Sequence, residues 1–300
     1  MTRSFRNTLG FAAAAGAAVG LVGLGAGTAA GTPHVHAAKA KTPSLKVTIS
    51  KHLKLTGPRS FQAGRVKLSL KAVGNEREVE VVSFKHGYTF KDLRADLLAF
   101  GESEGQNGPT KAGLKHLNHA VNHTHLYGGL DTVPGTPEKA VITLPKAGTY
   151  YLYNDSGELP AEAHKLTVTG HQAHRAKPKS SATVKATSAK RFAGATTLPA
   201  HGTITFKNVS TNSPHFLDLL HVKQGTTRKQ VIDYLNSGSQ AAPPFALNGQ
   251  AGTDVVGEGQ SQTLSYKLPK GEYIELCFFP DLQTGMPHAL MGMVRVVHLK

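Results

Sequence analysis

The chain is predicted to be all-β: two tandem Greek-key β-sandwiches, each with one short inserted helix. Three observations carry that prediction. Short runs that alternate, or are wholly apolar, recur between Gly, Pro and Ser, as strands packed on a core do. Helical periodicity is confined to one short segment in each half. The second half also repeats the first at a constant spacing.

The repeat is anchored by glycines. Phe61-Gln-Ala-Gly-Arg-Val-Lys-Leu resembles Leu198-Pro-Ala-His running into Gly202-Thr-Ile-Thr-Phe, and Gly64 and Gly202 stand 138 positions apart. Gly87 and Gly225, inside Val82-Ser-Phe-Lys-His-Gly and Leu220-His-Val-Lys-Gln-Gly, are separated by the same 138. Lys146-Ala-Gly-Thr-Tyr-Tyr-Leu-Tyr further resembles Lys270-Gly-Glu-Tyr-Ile-Glu-Leu-Cys. Two copies at so long a period imply two related domains rather than a solenoid.

The strands of the second copy are the clearer ones. Residues 203–209 alternate, with Ile204, Phe206 and Asn208 on one side. Residues 215–222, 262–268 and 272–279 are short and apolar or alternating, and the β-branched run 293–299 closes the chain. Residues 227–235 set Val231, Tyr234 and Leu235 on one helical face, and Phe90, Leu93 and Leu97 do the same in the first copy. The domains are placed at 42–170 and 182–300. His171-Gln-Ala-His-Arg-Ala-Lys-Pro-Lys-Ser-Ser, within 171–181, is a basic linker.

Residues 1–37 read as a secretory signal peptide. Arg3 and Arg6 form the basic region, residues 9–26 the apolar stretch, and cleavage is expected after Ala30 or Ala37. A second flexible tract, roughly 33–43, follows. No later run is long enough to span a membrane. The product is expected to be secreted and extracellular. Its formal charge of +15 suits anionic cell-wall or surface polymers and acidic partner proteins. No nucleic-acid module is recognisable.

Cys277 is the only cysteine, so it forms no internal disulfide and is open to oxidation unless buried or bound to metal. His288 and Met293 follow it in His288-Ala-Leu-Met-Gly-Met-Val, and Pro214-His215 offers a second imidazole upstream. Two imidazoles and a thiolate near one plane, with a distant axial thioether, are the ligands of a redox copper ion. Met293 keeps the register of the last strand, whereas Met291 is the other candidate for the axial position.

With those residues in that order, the stretch from Ala182 to Lys300 resembles the cupredoxins, the family of blue copper proteins. Asn212-Ser-Pro-His215 is similar to the first-ligand motif, Gly271-Glu-Tyr-Ile-Glu-Leu-Cys277 to the cysteine strand, and His288 to Met293 to the closing loop. The resemblance implies two tandem cupredoxin-like sandwiches, with one type 1 copper ion on His215, Cys277, His288 and Met293. Three features depart from the pattern: ten residues separate Cys277 from His288, Phe216 follows His215, and Glu275 occupies an inward position. In the first copy Arg77 aligns with His215 and Asn154 with Cys277, so that domain is read as a copy without ligands.

The function implied is a non-enzymatic electron carrier with a redox partner protein. A multicopper oxidase or nitrite reductase needs further histidines beside the cysteine, and Leu276 and Phe278 stand there. Only His34-Val-His36 and His123-Thr-His125 have a paired spacing. The alternative is a metal-free tandem sandwich that binds a polymer or partner through its basic surface. His116, His119, His123 and His125 form a separate cluster, read as a solvated loop with no carboxylate to complete a metal site; the first three would share a face were the segment helical.

Overall fold

The structure, a computed structural model, describes residues 41–50, 52–73, 78–105, 108–133, 136–156, 160–239 and 241–300. The leader, Arg77 and most of the 33–43 tract lie outside these residues.

In the first unit the elements run β1 (Ser44–Ile49), β2 (Leu53–Thr56), β3 (Ser60–Gln62), β4 (Gly64–Ala72), β5 (Glu78–Phe84), α1 (Phe90–Glu102), β6 (Glu104–Gly105), β7 (Gly108–Pro109), α2 (Lys111–His123), β8 (Thr124–Asp131), β9 (Glu138–Leu144), β10 (Gly148–Asn154) and β11 (Ala161–Thr169). The second unit has β12 (Ala182–Ala186), β13 (Phe192–Gly194), β14 (Thr197–Leu198), β15 (His201–Asn208), β16 (Asp218–Val222), α3 (Arg228–Asn236), β17 (Ala246–Gly252), β18 (Ser261–Lys267), β19 (Gly271–Leu276) and β20 (Val294–Leu299). Alternation decides which side chains enter the core: β1 buries Leu45, Val47 and Ile49, while β4 buries Val66, Leu68, Leu70 and Ala72. One hydrophobic core runs through both units.

The duplication is visible in atoms as well as in letters. Thr89 and Thr227, again 138 positions apart, cap α1 and α3, each in a reciprocal capping box with the third residue of its helix. Gly87 and Gly225 enter those helices at φ of +83° and +82°, the left-handed region that glycine adopts without a Cβ clash. Tyr150 and Tyr273 each donate their hydroxyl, at 2.9 Å, to the carbonyl four residues before them. That pairing sets Asn154 of β10 where Cys277 follows β19.

Both large sheets cross from one unit into the other. The first is ordered β13-β12-β15-β18-β9-β4-β1-β2, and the second β14-β20-β19-β16-β17-β8-β5-β10-β11-β3. With each strand matched to its copy, both orders read the same from either end, as a two-fold axis between the units requires. Along the junction Leu68 faces Ala140 and Phe206 faces Gln262, which makes Val141 and Thr263 equivalent positions, and these two pair with each other.

The same symmetry generates two buried carboxyl pairs. Glu80 stands opposite Gly129 in β8, and Asp218 opposite Gly252 in β17. A Cβ on Gly129 would lie 3.0 Å from the Cβ of Asp254, and one on Gly252 would lie 3.2 Å from that of Asp131. Glu80 with Asp254 and Asp218 with Asp131 are therefore counterparts, and each pair takes one member from each unit.

Glu138 joins the second pair and is sealed from solvent. Burial, and after it the charge of Asp131, holds its carboxyl well above the ordinary value near 4.5. The folded state thus keeps a proton that the unfolded chain releases, so stability falls as pH rises from that ordinary value toward neutrality. Glu138→Gln is expected to remove this loss. Thermal melts should show a higher midpoint than wild type at about pH 8 and nearly the same midpoint at about pH 5.

Two expectations need correction. The first unit carries two helices: Thr110 caps α2, and Gly113, Leu117 and Ala120 are its buried face. Of 215–222 only Asp218–Val222 is strand, because His215 is held in an isolated bridge to Val256. Between β11 and β12 there is neither helix nor strand, yet Arg175 is buried, donating to the carbonyls of Gln62, Ala63 and Arg65. The basic segment is fastened to the first unit there.

Candidate metal centre

Three stretches of the second unit meet at one end of the sandwich. The loop after β15 is pinned by Asn208, whose Nδ2 donates to the carbonyls of Ser213 and Val256 at 2.9 Å each and whose Oδ1 accepts from Ser210 N–H. His215 then exchanges backbone hydrogen bonds with Val256, at 3.1 and 2.8 Å. Cys277 follows the last residue of β19 directly. A bridge between Pro280 and Pro287 closes the following loop, His288 N–H donates to Phe279, and Met293 N–H returns to the carbonyl of His288 at 2.8 Å.

The ligand atoms form a triangle. Cys277 Sγ lies 3.7 Å from His215 Nδ1 and 3.8 Å from His288 Nδ1, and the two nitrogens are 3.1 Å apart. Metal–nitrogen and metal–sulfur bonds of about 2.0 and 2.3 Å, spread evenly in a plane, would separate nitrogen from sulfur by ~3.7 Å and nitrogen from nitrogen by ~3.5 Å. The residues therefore fit one ion in a trigonal N₂S setting. His215, Cys277, His288 and Met293 are all fully buried, whereas Met291 is only half-buried.

Electrostatics keeps both imidazoles free of protons. Burial, then the ammonium of Lys190, lowers His215 to about 4; burial, then His215 and Lys190, lowers His288 to about 3. Neutral imidazole is the form that binds metal. Lys190, at φ +54°, is ion-paired to Asp281 at 2.8 Å, and Asp281 Oδ1 in turn accepts from Thr284 N–H and Gln283 N–H. Sequence reading missed Lys190, because nothing in its neighbourhood marks a charge that folds over a site ninety residues further on.

Each departure from the family pattern has a physical account. The long loop projects as the turn at Asp281 and rests on the first unit, where Asn118 of α2 donates to the carbonyl of Leu282 at 2.7 Å. Phe216 is buried hydrocarbon, and Asn208 braces the His215 loop instead. Glu275 is fully buried and receives Arg295 Nε–H at 2.7 Å; Arg295 also donates to the carbonyls of Ala193, Gly194 and Ala195. Burial outweighs that partner and pushes Glu275 up to about 7. Arg295→Ala strands a carboxylate in the core and is expected to cost about 3 kcal/mol, measurable by urea unfolding, whereas a double change to Glu275→Gln with Arg295→Met should recover most of it.

The first unit has no comparable group among the described residues. Asn154 accepts from Ser156 N–H, and His164 Nε2 lies 2.9 Å from the carbonyl of Leu53. The histidine cluster is helical over His116, His119 and His123, with His125 in β8. A carboxylate does attend it. Asp96 of α1 meets His116 Nδ1 at 2.8 Å and His119 Nδ1 at 2.6 Å, a residue from another helix that local spacing could not supply.

No protein-family model and no curated protein matches the chain. Among solved structures it is similar to auracyanin from Roseiflexus castenholzii, at 23% identity over 41% of this chain and 99% of that one, with a TM-score of 0.25. It is also similar to auracyanin A, a blue copper protein of Chloroflexus aurantiacus, at 17% identity over 39% and 98%, with a TM-score of 0.23. A copper nitrite reductase from Nitrosomonas europaea aligns over 87% of this chain and 94% of its own, at 12% identity and a TM-score of 0.22. The chain is a mostly β pair of related units whose sheets run through both, and among the described residues the triangle is confined to the second.

Proposed function

We propose that this is an exported copper-binding protein that holds a single type 1 copper ion and works as an electron carrier. The observation that carries the reading is the buried triangle of His215 Nδ1, Cys277 Sγ and His288 Nδ1. Copper bound there would supply one-electron chemistry between its two oxidation states. His215, Cys277 and His288 would hold the ion. Met293, buried and tied by its backbone to His288, is the candidate for a fourth ligand.

The residues around the triangle favour electron transfer over catalysis. Leu276 and Phe278 put hydrocarbon on either side of Cys277, and both are buried. Neither His215 nor His288 exposes an imidazole edge to a substrate. The hydrogen bonds of Asn208 and the Pro280–Pro287 bridge restrain the ligands, which keeps reorganisation small when the charge changes. Export is supported by the N-terminal leader composition, and a redox partner or anionic polymer by the formal charge of +15. Among the described residues no helix is long and apolar enough to cross a membrane.

The test is a titration of the metal-free mature protein with Cu(II). One equivalent should bind and produce an intense visible band from thiolate-to-copper charge transfer. Binding without that band would overturn the type 1 reading, and absence of uptake would overturn copper binding altogether.

A further inference from the structure

The histidines of α2 carry chemistry that the buried triangle does not use. His119 and His123 stand four residues apart on one face of the helix, the spacing at which two imidazoles can share an ion. Each ring is fixed through its Nδ1. His119 Nδ1 lies 2.6 Å from Asp96 Oδ2, and His123 Nδ1 lies 2.9 Å from the carbonyl of His119. Burial works against the charge on Asp96, but hydrogen bonds from His116, Tyr88 and His119 outweigh it and hold that carboxyl below its ordinary value. Carboxylate and carbonyl oxygens only accept, so both imidazoles donate from Nδ1 and, when neutral, keep a lone pair on Nε2. Among the described residues neither Nε2 has a hydrogen-bond partner. Imidazoles that hold a metal are oriented in this way, by an oxygen acceptor on the other ring nitrogen.

Tyr88 locks the pair in place. Its ring stacks on His123 at 5.3 Å and meets His119 edge-on at 5.4 Å, while its hydroxyl donates to Asp96 Oδ2 at 2.7 Å. The two imidazole centres are thereby held 4.2 Å apart. Bonds of about 2.0 Å to one ion, at ~90° as in a tetragonal site, would separate the ring centres by ~4.4 Å, whereas the ~109° of a tetrahedral site would require ~5.1 Å. The observed spacing is nearer the first. Tetragonal nitrogen and oxygen ligation is the preference of Cu(II), which also binds such ligands more tightly than Zn(II) does.

From this pairing we infer that His119 and His123 form a second copper site, which takes Cu(II) through both Nε2 atoms with water in the remaining positions. Solvent reaches it, because the His119 side chain is 52% exposed while the triangle is fully buried. With no sulfur among these ligands, the ion would be held without a thiolate charge-transfer band. The second unit cannot build the same site. At the spacing of 138, Thr226 stands for Tyr88 and Tyr234 for Asp96, and among the described residues no helix between α3 and β17 matches α2. The unit that lacks the buried ligands is thus the one that presents imidazoles at its surface.

The experiment is calorimetric titration of chelator-treated mature protein with Cu(II), and separately with Zn(II), at about pH 7.5 with visible absorption recorded in parallel. One Cu(II) should bind without adding to the thiolate charge-transfer band, at a dissociation constant below about 0.1 mM, and more tightly than Zn(II). His119→Ala and His123→Ala should each weaken that ion by about tenfold or more. His171→Ala, at an exposed histidine of the basic segment, should leave its affinity unchanged, and all three variants should keep the wild-type response at Cys277. Unchanged affinity in both helix variants would overturn the proposal, as would an equal loss in His171→Ala or tighter binding of Zn(II). The helix variants alone report on this ion, so none of these outcomes depends on whether copper binds at Cys277.

Discussion

Cys277→Ser is expected to abolish the visible charge-transfer band of the copper-loaded protein completely. The band requires a sulfur ligand, and the alcohol oxygen of serine is neither soft nor deprotonated at neutral pH. The side chain is fully buried at the mouth of β19, so the hydroxyl also loses hydration, at a cost of about 1–2 kcal/mol. That cost is too small to unfold a domain of ordinary stability. Far-ultraviolet circular dichroism should therefore be unchanged while absorption vanishes. A variant that keeps the band would show that the absorption does not arise from the Cys277 thiolate and would refute the triangle as a copper site.

Asn208→Ala is expected to have the second largest effect, on stability and on metal affinity together. One buried amide holds three backbone groups around His215: the carbonyl of Ser213 and the N–H of Ser210 in the loop that delivers it, and the carbonyl of Val256 in the segment bridged to it. Its removal leaves those groups without that partner in a dry interior. The expected loss is about 2–4 kcal/mol in urea unfolding. Because the amide positions His215 without touching the ion, copper affinity should fall by roughly 10- to 100-fold, with the band displaced rather than lost. Stability loss with unchanged affinity would make Asn208 a purely structural residue.

Much of this was legible in the letters. The glycine spacing of 138 anticipated the duplicated units, and the two capping boxes add a third anchor at the same interval. The imidazoles and the thiol were recognisable because few residue types bind soft metals, and the structure brings His215, Cys277 and His288 together. Asn208 was placed on one side of its strand with Ile204 and Phe206, but its partners lie in loops that strand periodicity does not describe. Other features were hidden for a common reason: they join segments far apart in the chain. Lys190 folds over Asp281, Asp96 reaches His116 from another helix, and Asp254 meets Glu80 only across the two-fold junction. The helix α2 was obscured by its histidines, which suggested solvent, while Leu117 and Ala120 were the residues it buried.

The palindromic sheet order has a consequence for how the two units can differ. A pair of identical subunits must carry every substitution twice and separates when diluted. Here the twelve residues between β11 and β12 tether the halves, with an effective concentration on the order of millimolar, so pairing survives any dilution. Each half is then free to change alone. One unit can hold a thiolate that its twin does without. Joining the halves in a single chain is what permits a symmetric scaffold to carry an asymmetric site.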